Sequence, residues 1–104
     1  MVEEFHKLEN AEMHQKSLVQ SVLHLAPILT KVVEQGISEC IMSVEYPHET
    51  VELLLSCAVV IFDDGLFEWG AENMARKVNA FINMAEVSLG TEKGALSEMM
   101  ELFG

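Results

Sequence analysis

The chain has 104 residues and a mass of 11.6 kDa, a length that suits one domain spanning 1–104. Its 17 acidic residues against 6 basic ones give a formal net charge of −11, which excludes direct nucleic-acid binding through a basic stripe. Half of the residues are hydrophobic, which excludes intrinsic disorder, and the longest strongly apolar run, 53–62, is about half of what a membrane span needs.

The first elements are helical. Residues 2–35 read as one long helix, in which Leu18, Val22, Leu25, Leu29 and Val32 keep a 4-3-4-3 spacing. A second set, Val19, Leu23, Ala26 and Val33, widens the apolar stripe. Pro27 deprives the Leu23 carbonyl of its donor and predicts a kink. Gly36 then fits a left-handed terminator. Residues 37–46 carry both a helical pattern (Ile37, Ile41, Val44) and a strand pattern (Cys40, Met42, Val44, Tyr46). The helical one is favoured.

Pro47 suits a helical first turn, with Glu49 and Glu52 near the positive end of the dipole. The run through Phe62 is apolar nearly all round and reads as a buried helix, despite Val59, Val60 and Ile61. Asp63-Asp64-Gly65 is a turn, and either Asp is placed to cap the next helix. Phe67, Ala71, Met74, Val78, Phe81 and Ala85 then form a helical stripe that Gly90 ends. Thr91 is positioned to cap a last short helix carrying Leu96, Met99, Met100 and Phe103. The expected fold is all-α: a small bundle of four to five helices led by the long N-terminal one.

The reactive residues form no catalytic pattern. His48-Glu49-Thr50-Val51-Glu52 resembles a zinc-protease box only in part, because Glu52 stands where the second His is needed. Glu3 with His6, and Glu45 with His48, have the Glu-x-x-His spacing of di-iron bundles but lie outside the apolar helix positions. His24 sits among apolar neighbours and is expected to be partly buried. No serine lies in a nucleophile elbow. Cys40 and Cys57 match neither a zinc nor a redox spacing, and are expected to be reduced, buried and inert. The acidic start, Met1-Val2-Glu3-Glu4, resembles neither a secretory signal nor a transit peptide. No cofactor, no metal and no membrane are expected, and the location is cytoplasmic, in the producing cell or an infected host cell.

Two features remain. No basic residue occurs between Lys31 and Arg76, whereas Glu34, Glu39, Glu45, Glu49, Glu52, Asp63, Asp64, Glu68 and Glu72 all fall there. A coherent negative field steers basic partners. The second feature is soft apolar surface: Phe67 and Trp69 flank the Asp-Asp-Gly turn, and Met99, Met100 and Phe103 cluster near the end.

These features lead to a non-enzymatic, acidic regulator that binds a protein with a basic surface, in its sharpest form an inhibitor covering a nucleic-acid-facing site. Glu45, Glu49, Glu52, Asp63, Asp64, Glu68 and Glu72 are its expected acidic contacts. Phe67, Trp69, Met99, Met100 and Phe103 are its apolar contacts, to a partner or to a second copy. One alternative is a homodimeric regulatory or assembly subunit whose acidity serves solubility. Another is a metal-binding or enzymatic bundle. So small an apolar chain completes its core most readily as a homodimer.

Overall fold

The computed structural model describes residues 2–98. It is all-helical, with α1 (Val2–Ser38), α2 (Pro47–Ile61) and α3 (Ala71–Leu89) in chain order and a further helical turn at 95–98. The expected all-α class with a long leading helix is thus the observed one. Among the described residues, no helix is long and apolar enough to cross a membrane.

At about 1.5 Å per residue, the 37 residues of α1 extend about 55 Å and set the 57 Å long axis of the molecule. Pro27 lies inside α1 and the helix continues through it. Leu23 and Pro27 both sit on the exposed side, where solvent reaches the carbonyl that lacks a donor. The inward face of α1 carries Leu18, Val22, Ala26, Thr30, Val33 and Ile37. The expected seam holds for Leu18 and Val22 and then diverges, because Leu25, Leu29 and Val32 are exposed. Two expectations on this helix need correction. His24 is exposed, on the side away from the core. Gly36 does not end the helix.

The end of α1 shows what Gly36 does instead. A Cβ on Gly36 would lie 2.7 Å from Met42 Sδ, so glycine lets Met42 fold back into the core. The helix ends two residues later, and Cys40 takes the left-handed turn at φ +64°. Cys40 is therefore exposed, where a buried thiol was expected, and Cys57 is half-buried. The Gly36 carbonyl accepts the Ile41 and Met42 N–H groups. No helix forms over 39–46, contrary to the favoured reading, because this reversal consumes the segment.

α2 is central and packs on both other helices. Pro47 occupies its first turn and Val51 is buried. α3 starts four residues after Phe67, behind Gly70 at φ +79°. Asp63 caps no helix: its Oδ1 accepts the Gly65 N–H at 2.8 Å and closes a local turn. Gly90 ends α3 in the left-handed conformation, φ +67°. Thr91 does not start the last turn; Gly94 does, its carbonyl accepting the Glu98 N–H. Ala26, Val33, Met42, Val51 and Leu89 form the core cluster. Ile37, Val44, Leu54, Leu55 and Leu96 pack around it.

Candidate functional site

An apolar concave feature lies over α2, between α1 and α3. It is an open groove of about 300 Å³. α1 contributes Leu29, Val32 and Val33. α2 forms its floor with Val51, Leu54, Leu55 and Ala58. Phe81, Ala85 and Leu89 of α3 face them, and Met42 and Leu96 complete the lining. All of these side chains are apolar. α1 and α3 each pack on α2, and the groove lies between them. The residues Leu29 and Val32 that the 4-3 seam marked as core therefore form its rim.

Polar groups next to this core are already partnered. Thr30 is 7% exposed and donates its hydroxyl hydrogen to the Ala26 carbonyl at 2.6 Å. The same oxygen lies 3.1 Å from His48 Nδ1. With the hydroxyl hydrogen committed to Ala26, Nδ1 carries the hydrogen and donates, joining α2 to α1. His48 Nε2 faces Glu52 at 3.5 Å. The His48-Glu49-Thr50-Val51-Glu52 segment thus serves helix docking. Among the described residues, no group of three His, Cys, Asp or Glu is arranged to hold a metal ion. Glu86 is 6% exposed, and its carboxylate accepts the Gly94 N–H.

The expected acidic residues fall into two groups along the chain. Glu45, Glu49 and Glu52 lie at the start of α2, whereas Asp63, Asp64, Glu68 and Glu72 lie beyond its other end. The 15 residues of α2 separate the two groups by about 20 Å. Asp63 is mostly buried, and its Oδ2 lies 2.9 Å from His14 Nε2. Phe67 and Trp69 stack on each other, ring centroids 4.7 Å apart. Trp69 Nε1 donates to the Ile61 carbonyl at 3.0 Å, and Lys77 Nζ lies 4.0 Å from the indole centroid. These two aromatics tie the 62–70 loop to α2 and α3. Met99, Met100 and Phe103 lie outside the described residues.

A second apolar surface was not singled out by the sequence patterns. Leu53 of α2 is 72% exposed and Val87 of α3 is 74% exposed. Val60, seven residues after Leu53 on α2, and Met84, three before Val87 on α3, are exposed as well, so each pair shares a face of its helix. A shallower groove of about 280 Å³, lined by Cys57, Ile61, Ala80 and Met84 among others, continues this surface. The signal for it was present in the α2 run, which is apolar on more sides than two neighbouring helices can cover.

Residues 1–84 match the family described as "Tetracyclin repressor-like, C-terminal domain". None of the curated proteins matches the chain. The family match overturns the expected acidic inhibitor of a basic surface, because it points to a ligand-binding or dimerisation domain of a transcription regulator. Charge patterning carries no sign of this family, because it tracks only the order of residues along the chain.

Proposed function

The chain belongs to the tetracyclin repressor-like C-terminal domain family, and from that membership we propose that it is the dimerising, ligand-responsive domain of a cytoplasmic transcription regulator. It is regulatory and performs no catalysis. It pairs with a second copy of itself. Its acidic residues keep it soluble, and with six basic residues it makes no DNA contact of its own.

The observation that carries dimerisation is the uncovered apolar surface of α2 and α3, centred on Leu53, Val60, Met84 and Val87. Two helices from each copy, packed face to face, make a four-helix arrangement that removes this surface from water. No large side chain of the described residues is fully buried within one chain. That supports a core completed by association. The groove between α1 and α3 is the proposed ligand site, placed where ligand movement reaches both flanking helices.

The test is substitution on the proposed dimer face. Leu53→Glu with Val87→Glu places charges on two exposed positions, so each monomer retains its core. Light scattering should fall from the dimer mass to that of one 11.6 kDa chain while helical circular dichroism is kept. An unchanged mass would remove α2 and α3 as the interface.

A further inference from the structure

The chain beyond α3 turns back along the helix it has just left. Gly90 reverses it in the left-handed conformation. The Thr91 N–H donates to the Glu86 carbonyl at 3.0 Å, and the buried Glu86 carboxylate accepts the Gly94 N–H. Gly94 is therefore within one side chain's reach of Glu86, about one turn before the end of α3. From Gly90 onwards the chain runs back in the direction of Ala85 and Phe81, which line the groove over α2. The last described turn is helical, with the Glu98 N–H donating to the Gly94 carbonyl at 3.0 Å. Leu96 reaches the groove and packs on the core cluster, whereas Ser97 and Glu98 are exposed.

We propose that the segment that follows, residues 99–104, lies along this groove as its cover, with Phe103 inserted between α1 and α3. The inference stands apart from the dimer and ligand-site readings: it assigns the open side of the groove to the chain itself. Helical phase is its first support. Carried forward, the inward face of the 95–98 turn continues through Met99 and Met100, three and four residues after Leu96, to Phe103, seven after it. The outward face continues from Ser97 and Glu98 to Glu101. Large apolar side chains thus follow on the side where Leu96 meets the groove, and a carboxylate on the side where Glu98 meets water.

Length and volume agree with this placement. Leu96 packs on the cluster that holds Val51 and Leu89, towards one end of the groove. On α2 the lining continues from Val51 to Ala58, seven residues and about 10 Å along the axis. Leu96 to Phe103 is also seven residues, so a continued helix spans the same distance. An apolar cavity of about 150 Å³ holds one benzene, so the Phe103 ring takes about half of the groove's 300 Å³. Met100, long and flexible, is suited to cover the uneven space beside it. The rim residues Leu29 and Val32 are 39% and 48% exposed, and both lose water against such a cover.

The test is a nuclear Overhauser measurement on the full chain. Chains with protonated Phe rings and labelled Leu and Val methyls are mixed with an excess of perdeuterated chain, so that only contacts within one chain are seen. Phe103→Leu identifies the Phe103 signals by removing them. Cross-peaks should join the Phe103 ring to methyls of Leu29, Val32 or Leu55. Phe103→Ala should shift those methyl resonances and speed amide exchange of Leu96 and Glu98 about tenfold, with helical circular dichroism otherwise kept. Phe103→Leu, which keeps an apolar side chain, should speed exchange much less. Cross-peaks to Leu53, Val60 or Val87 instead would put the segment on the uncovered surface of α2 and α3 and overturn the proposal. A Phe103 ring with no cross-peak beyond its chain neighbours would overturn it too, as would unchanged exchange in Phe103→Ala. Cross-peaks that vanish on adding perdeuterated chain would mean insertion into a second copy and overturn the placement within one chain.

Discussion

His14 Nε2 and Asp63 Oδ2 lie 2.9 Å apart, joining the middle of α1 to the turn after α2. Apart from Thr30 with His48, this is the side-chain polar link from α1 to a later element among the described residues. N-terminal to it, α1 is exposed on all the sides described. Asp63→Ala removes the carboxylate that both His14 and the Gly65 N–H use. His14 is 44% exposed, so solvent screening limits the expected loss of global stability to about 1 kcal/mol. The larger effect is local: amides of α1 before His14 should exchange faster, and amides around 26–33 should not change.

Thr30 and His48 form the second link, and this one is buried on the threonine side. Thr30→Val keeps the shape but leaves His48 Nδ1 without its acceptor. Denaturant unfolding should show a loss of about 1–2 kcal/mol. His48→Ala alone should cost a similar amount, and the double variant less than the sum of the two. That non-additivity is the signature of a direct pair. Additive losses would mean that the two residues act separately.

The glycines at the two ends of α3 should respond differently to alanine. Gly70 and Gly90 both have positive φ, at +79° and +67°. A Cβ on Gly70 meets nothing within 4 Å, so Gly70→Ala carries backbone strain alone, about 1–3 kcal/mol at ψ 160°. A Cβ on Gly90 would run into the Ser43 carbonyl oxygen, which is backbone and cannot swing aside. Gly90→Ala should therefore cost about 2–4 kcal/mol, from strain and overpacking together. Thermal unfolding of the two variants compares them directly.

Trp69 is the one tryptophan of the chain. Its indole stacks on Phe67, lies under Lys77 and donates to Ile61. Trp69→Phe keeps a ring but loses the donor, and should cost about 1 kcal/mol in denaturant unfolding. Lys77→Met should cost less, about 0.5–1 kcal/mol, since it removes only the cation over the ring. It should also shift the tryptophan emission, because the nearby charge is gone.

The helices were legible in the sequence because their signals are local. Pro47 at the start of α2 and Gly90 after α3 act through their own backbone preferences, and both serve as expected. Gly36 shows the limit. Its terminator pattern was sound as local chemistry, but the fold uses the missing Cβ for Met42, a contact decided by packing. The groove was hidden for a related reason. Leu29 and Val32 carry the periodicity of core residues, and periodicity does not say whether a third helix closes over them. The acidic-inhibitor reading is overturned by the family match, which the order of charges along the chain does not reveal.

The central claim is that α2 and α3 pair with a second copy of the chain. Sedimentation equilibrium of the native protein over a range of concentrations tests it most directly. A mass twice that of the 11.6 kDa chain, falling to one chain only on strong dilution, is the predicted result. A single-chain mass that persists at high concentration would contradict it.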